Sequence, residues 1–236
     1  MKLDPKACHN SQERVAPQDV LNGLRHGFDA GFRLGKLKGV VAFKNYRSAL
    51  DNRDTVSKAV YGRVDKSRTV VIGDFREIGK TLLSTFFGDA RLFPMGSAKK
   101  KDDPTISRPT DDHTRTGFNA HTVLGILGHS LDAYNQVCTL LTRGAFMRVS
   151  DVADAFTLIP MHPMIWAFML FRWYRDSSST SDSTLFVHIF GDFGTRGMPG
   201  TFKLILVDCI VQMARSEFVL TLPLPVYVDD AAMIGG

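Results

Sequence analysis

Apolar residues recur along this chain in short runs, broken by glycines, prolines and charged clusters, the pattern of a domain that mixes helices and strands. Asp19 to Phe28 has the spacing of a short helix, and Gly27, Gly31, Gly35 and Gly39 punctuate its end and the stretch beyond it. Asp51 or Asp54 is placed to cap a second helix running through Ala59. Val70-Val71-Ile72 predicts a short strand. Lys99-Lys100-Lys101-Asp102-Asp103-Pro104 predicts a strand end and turn, with the return arm near Ile106 to Arg108. Ser130 is a good N-cap for a helix through Leu141, with Leu131, Tyr134, Cys138 and Leu141 on one face and Gly144 as its stop.

The second half reads as sheet around one helix. Ala145 to Val149 predicts a strand that delivers Asp151 at its end. Trp166 to Tyr174 and Leu185 to Phe190 are β-rich runs joined by a serine-rich tip, Asp176 to Asp182, which predicts a hairpin. Pro199 opens a long helix to about Phe218, whose apolar face uses Phe202, Ile205, Leu206, Cys209, Ile210 and Met213. Leu222 to Val228 and Ala231 to Ile234 flank Asp229-Asp230 as a second hairpin. Strand, hairpin, helix, hairpin is the order of an α+β fold, an antiparallel sheet backed by helices.

Composition narrows the class. At 236 residues and 44% hydrophobic content, the chain is long enough for one large domain or two small lobes. Three cysteines, Cys8, Cys138 and Cys209, are odd in number and far apart; they argue against a disulfide framework and for a reducing, intracellular setting, and cytoplasm or nucleus follows only from the class of reaction. The polar start, Met1 to Arg14, has no signal-peptide core, and Pro160, His162 and Pro163 interrupt the longest apolar stretch, so no membrane span is expected. Charge divides unevenly. Residues 1–150 carry 24 Lys and Arg against 15 Asp and Glu, and residues 151–236 carry 5 against 9. A basic N-terminal part suits phosphate, and an acidic C-terminal part suits divalent cations; a solvated lysine-rich surface is the plainer reading of the same numbers.

Two acidic clusters carry the candidate chemistry. Asp151-Val152-Ala153-Asp154-Ala155-Phe156 closes one apolar run, and Tyr227-Val228-Asp229-Asp230 closes another far downstream. Two-metal phosphoryl transfer needs hard oxygen ligands on rigid elements, holding Mg²⁺ ions roughly 3.5–4 Å apart. Asp151 at a strand end and Asp229 in a hairpin turn suit that need. Each cluster also has a plain structural reading, Asp151 as a cap and Asp229-Asp230 as a type I′ turn.

The motifs between and before these clusters resemble the reverse transcriptase family, the RNA-directed DNA polymerases of retroelements. Asp151 to Pro163 looks like the first catalytic palm motif, Phe193-Gly-Thr-Arg-Gly-Met-Pro-Gly-Thr-Phe202 like the second, and Tyr227-Val-Asp-Asp230 like the third. Lys99-Lys-Lys-Asp-Asp103, Arg108-Pro109 and Asp111 to Asn119 resemble the fingers segment that closes over an incoming nucleotide. Together they cover about Pro94 to Gly236. The leader Gly23 to Gly35, with Lys44-Asn45 and Ser48-Ala49, further resembles DIRS-type retrotransposons, which use a tyrosine recombinase.

That resemblance implies a right-hand polymerase of fingers and palm: a leader at 1–34, fingers at 35–118 and 160–197, and palm at 119–159 and 198–236. It implies that Asp151 and Asp229 ligate both metals, Mg²⁺ or Mn²⁺, with Asp230 in support and the Val152 carbonyl as an extra ligand. Lys100 and Arg108 would hold the triphosphate, a task suited to the planar guanidinium fork. Asp154 and Ala155 would offer backbone N–H groups to the β and γ phosphates. Phe156 would lie under the sugar and exclude a 2′-OH, Gly197 would let the backbone approach the nascent base pair, and Tyr227 would position the primer. Phe156 as plain core, and Lys99 to Lys101 as a solvated turn, are the alternatives.

The implied partners are a primed RNA or DNA template and dNTPs, and the implied reaction is attack of a primer 3′-OH on the α-phosphate. One departure is Phe193, which stands where many retroviral members carry Gln. Another is the ending: Gly236 closes the last hairpin, so no thumb is expected, which fits either a fragment or an inactive relic that keeps the palm and weak nucleic-acid binding. An RNA-directed RNA polymerase fits less well, given Phe156 and Tyr227. Asp192-Phe193-Gly194 matches the kinase magnesium motif without a His-Arg-Asp loop before it, and Gly31 to Lys36 is one residue short of a P-loop.

Overall fold

The structure, a computed structural model, describes residues 17–33, 35, 37–124, 133–211, 213, 216–217, 226–227 and 230–235. The polar start of the chain, the Ser130 cap, the 222–225 part of the last hairpin, and Val228 and Asp229 lie outside those residues.

Strands β1 (Val40–Ala42), β2 (Thr69–Asp74), β3 (Ala90–Phe93), β7 (Leu170–Trp173) and β8 (Thr184–His188) form one sheet in the order β1-β3-β7-β8-β2. It is mixed rather than wholly antiparallel: β1, β3 and β7 run parallel, while β7-β8 and β8-β2 are antiparallel. The inner strands β3 and β8 are buried at every position, Arg91, Thr184 and His188 included, so burial along them does not alternate. Phe93, Phe171 and Phe186 stack across β3, β7 and β8 at 5.2 Å between successive centroids. Trp173 closes this cluster and donates its indole N–H to Ser57 Oγ at 2.9 Å, so its one polar atom is satisfied.

A two-stranded hairpin, β4 (Met95–Lys99) with β5 (Ser107–Asp111), comes after β3 and turns at the predicted Lys-Asp-Pro segment. The third sheet is β6 (Phe146–Asp151), β10 (Asp230–Gly235) and β9 (Val226–Tyr227), antiparallel throughout. Around these sheets lie α1 (Pro17–His26), α2 (Arg47–Asp51), α3 (Arg53–Asp65), α4 (Phe75–Phe87), α5 (Ala133–Leu140) and α6 (Met198–Ile205). The result is the expected α+β fold, with sheets backed by helices.

Several local expectations shift. Neither Asp51 nor Asp54 is the N-cap of α3; Asn52 holds that position, Asp54 sits in the first turn where it favours the helix dipole, and the helix continues to Asp65. The first arm of the β7–β8 hairpin begins at Leu170, because Pro163 opens a 3-10 turn that takes up Trp166. Helix α6 widens into a π turn over Leu206–Val211, which slips the periodicity by a residue. Phe202, Ile205 and Cys209 are buried as expected, but Ile210 is 51% exposed. Cys138 on α5 and Leu141 just after it are exposed, and among the described side chains of α5 Val137 and Leu140 are half-buried.

Helix α4 has no clear signature in the sequence. Asp74 caps it by accepting the Arg76 N–H at 2.7 Å, and Gly79, at φ 60° and ψ 177°, kinks its interior. In the leader, Gly27 has φ 92°, and a Cβ there would collide with the backbone of Met161 and His162. The contact is real pairing: Phe28 N–H donates to Pro160 O at 2.8 Å, and His162 N–H to Phe28 O at 3.0 Å. The leader is thereby fastened to the segment after Asp151. No described helix is long and apolar enough to cross a membrane.

Candidate active site

The antiparallel register of β6 and β10 sets Asp151 opposite Asp230, and the β9–β10 register sets Asp230 opposite Tyr227. The two acidic motifs, nearly 80 positions apart in the chain, therefore meet at one end of one sheet. Directly opposed positions of an antiparallel pair lie about 4.5–5.5 Å apart at Cα, which is close enough for two carboxylate positions to serve one cation site. Asp151 is exposed, and no described side chain pairs with its carboxylate. A strand-end carboxylate with no partner among the described side chains fits a hard divalent cation. Asp229 lies outside the described residues.

Past Asp151 the chain turns sharply. Val152 is half-buried against the main core, and Asp154 takes a left-handed conformation, φ 60°, before the 3-10 turn Ala155–Leu158. Two cations hold the Asp154 carboxylate, Lys66 Nζ at 2.6 Å and Arg68 at 2.8 Å. The hydrogen bond from Lys66, then that from Arg68, keep this carboxyl below the ordinary aspartate range. Arg68 also donates to Thr157 Oγ1 at 2.6 Å, so the loop between α3 and β2 grips both ends of the turn. Neither Lys66 nor Arg68 stands out in the sequence.

Ala155 is fully buried and Phe156 is 4% exposed. The Phe156 ring packs edge-on to Phe202 at 5.9 Å and tilted against Phe193 at 4.8 Å. Phe193 itself is 64% exposed, so it is the aromatic surface the site presents at this point. Gly197 sits where a Cβ would collide with the Ala30 carbonyl oxygen; the close approach at this glycine is to the leader. Its own carbonyl accepts both the N–H and the Oγ1 of Thr201.

Lys100 comes directly after β4, and Arg108 lies on β5 opposite Ala98, both on the hairpin that projects beyond β3. Arg108 is exposed and Lys100 half-exposed.

Beneath these motifs lies a buried polar network the sequence does not announce. Arg63 donates to Asp111 Oδ2 at 2.9 Å and stands 2.9 Å from His188 Nε2. A guanidinium has only donors, so His188 Nε2 accepts and the ring proton sits on Nδ1, 2.7 Å from Thr69 Oγ1. Burial, then the Arg63 charge, push the His188 imidazole down to about 4. It is neutral at physiological pH, and its 3.8 Å approach to Asp111 is no ion pair. His113 behaves oppositely. Burial alone would lower it, but the charge and hydrogen bond of Asp192, at 2.8 Å from Nε2, raise it above the ordinary histidine value. Asp192, which burial alone would raise, is held well below the carboxylate range by His113.

Asp111, His188 and Asp192 offer ligand atoms within 4.8 Å of one another and could hold a metal ion. The Arg63 guanidinium already supplies positive charge between two of them, so an ion there would have to displace a buried cation.

No known family profile matches the chain, and no curated protein matches it in sequence. Among solved structures it is similar to the protease-reverse transcriptase of prototype foamy virus. For a CSH mutant of that protein the TM-score is 0.59 at 15% identity, covering 86% of this chain and 22% of the viral one. For the native protein the TM-score is 0.57 at 14% identity, with the same coverage. The chain thus spans 22% of the length of the structures it matches. At these identities the likeness is one of fold: this chain has a reverse-transcriptase-like α+β fold.

Proposed function

We propose that this chain is the fingers and palm of an RNA-directed DNA polymerase, adding dNTPs to a primer 3′-OH on an RNA or DNA template. The observation that carries this reading is the register of Asp151 against Asp230, which brings the first and third acidic motifs to one strand end. The similarity to foamy virus protease-reverse transcriptase supports it at the level of fold. Division into fingers (35–118 and 160–197) and palm (119–159 and 198–236), with a leader at 1–34, is supported by the sheets. Every strand of the five-stranded sheet and of the β4–β5 hairpin falls in the first set, and every strand of the β6-β10-β9 sheet in the second.

In this reading Asp151, Asp229, Asp230 and the Val152 carbonyl hold the divalent cations. Mg²⁺ bound there would lower the pKa of the primer hydroxyl and neutralise charge on the leaving pyrophosphate. Lys100 and Arg108 grip the triphosphate from the β4–β5 hairpin. The backbone N–H groups of Asp154 and Ala155 meet its distal end, at a turn that Lys66 and Arg68 keep in shape. Phe156 stands under the sugar with Phe193 against it, Gly197 lets the backbone approach the nascent base pair, and Tyr227 positions the primer. The Gly23 to Gly35 leader supports assignment to DIRS-type retrotransposons.

Primer extension on an RNA template with dNTPs tests the proposal. Extension that requires Mg²⁺ or Mn²⁺ and disappears in Asp229→Asn is expected. Normal binding of primer-template with no extension under any metal would instead identify an inactive remnant.

A further inference from the structure

In sequence, Asp192 belongs only to a kinase-like triplet without its catalytic loop, and His113 has no role, yet the two form the most deeply buried charged contact among the described residues. His113 is 0% and Asp192 1% exposed at the side chain, with Nε2 and Oδ2 2.8 Å apart. They join segments 79 residues apart: the turn after β5 and the base of the loop that opens α6. We propose that His113 and Asp192 form one positioning unit that fixes the 192–197 loop, and with it Phe193, against Phe156. This rests on the reading that the loop serves nucleotide addition.

The bonding pattern argues for it. While Oδ2 of Asp192 faces His113, Oδ1 accepts the Gly194 N–H at 2.8 Å and the Thr195 hydroxyl at 3.1 Å. Each carboxylate oxygen thus has a separate task, one facing the fingers segment and one folding the loop. Asn119 brackets the same loop from the segment after His113, donating to Gly194 O at 2.9 Å and accepting the Arg196 N–H at 2.9 Å. His113 is itself braced, because its carbonyl accepts the Thr116 hydroxyl at 2.8 Å. Gly194 has no room to slide, since a Cβ there would collide with the Asp111 carbonyl and lie 2.9 Å from His113 Cδ2.

The charges also balance. Arg63 faces Asp111 and His113 faces Asp192, whose carboxylate raises the imidazole above the ordinary histidine value, with His188 neutral between them. A buried carboxylate whose every task is matched by a donor over-determines the backbone it belongs to. Phe193 is the next residue after Asp192 and is 64% exposed, and among the described residues its one ring contact is with Phe156. Its position is therefore set from behind, by Asp192.

The test compares His113→Leu with His113→Gln, whose amide places a donor near the former Nε2. Loss of a charge-assisted hydrogen bond predicts about tenfold faster hydrogen exchange of the Gly194 amide in His113→Leu, with recovery to within about threefold of wild type in His113→Gln. In primer extension, KM for dNTP is expected to rise about tenfold in His113→Leu with kcat within about threefold of wild type, and to recover in His113→Gln. Unchanged exchange at Gly194 in folded His113→Leu would overturn the proposal. So would a KM that Gln fails to restore while the protein stays folded by circular dichroism.

If His113→Leu does not fold, Asp192→Asn serves instead. A neutral amide oxygen is the weaker acceptor, so Gly194 is expected to exchange several-fold faster, and no change would count against the unit. Hydrogen exchange needs no activity. If wild-type protein extends no primer yet Gly194 responds as described, the functional reading fails while the positioning unit stands.

Discussion

Asp230 stands directly opposite Asp151 on neighbouring antiparallel strands, with Tyr227 as the next partner across the sheet. This pairing links a strand end near the middle of the sequence to a motif at its far end, and register alone produces it. A slip of one residue along β6–β10 would move every side chain of the strand to the other face. The candidate active site thus depends on the same hydrogen-bond ladder that builds the β6-β10-β9 sheet.

The buried histidines give stability a pH dependence whose sign can be worked out. His188 is lowered to about 4, from an unfolded value near 6.5. On acidification the unfolded chain takes up this proton first. The contribution is therefore intact above about pH 6.5 and is lost as pH falls from there toward 4. His113, being raised, acts in the other direction: its contribution is complete below about pH 6.5 and is lost as pH rises through its folded value. Subtracting His188→Gln from wild type isolates the first effect. Urea unfolding should show the difference in stability shrinking by roughly 2 kcal/mol between pH 7 and pH 5. A difference that does not vary with pH would show that His188 is not held neutral.

Gly197→Ala places a methyl group against the Ala30 carbonyl and Cβ, where no flexible side chain stands to yield. Overpacking of this kind should cost about 1–3 kcal/mol, measured by denaturant unfolding. The leader ought to loosen with it, seen as faster hydrogen exchange at Phe28, whose N–H is bonded to Pro160. A variant as stable as wild type would mean that the leader does not pack on this glycine.

These cases show what was legible in the sequence and what was not. The Lys-Asp-Pro turn announced the β4–β5 hairpin because turn chemistry is local. Asp151 could be placed because an apolar run ends at it. Strands β1 and β3 escaped notice because they are three and four residues long, and β3 is buried on both faces, which leaves no alternation to detect. Ile210 faced the wrong way because a π turn changes the helical period without any change in composition. The polar network was invisible for a different reason. His113 meets Asp192 across 79 residues and Arg63 meets His188 across 125, and no periodicity encodes such contacts.

Phe156 packs between Phe193 and Phe202 and is almost wholly buried, so it has a structural task besides the one proposed. Phe156→Val should separate the two. If the ring lies under the sugar as proposed, shortening it opens space there, and discrimination against ribonucleotides is expected to fall at least about tenfold in competition primer extension. Stability should drop by up to about 3 kcal/mol from the cavity left behind. Lost stability with unchanged sugar selection would make Phe156 core alone.

The most direct test of the central claim is single-nucleotide incorporation by wild type and Asp151→Asn, on one primed RNA template with Mg²⁺. Binding of the primed template is measured alongside by fluorescence anisotropy. An amide cannot supply the charge of a metal-holding carboxylate, so incorporation should fall by more than about 100-fold, some 2.7 kcal/mol of transition-state stabilisation, while binding is unchanged. Incorporation by Asp151→Asn at the wild-type rate would contradict the account, because the strand-end carboxylate opposite Asp230 would then have no part in the chemistry.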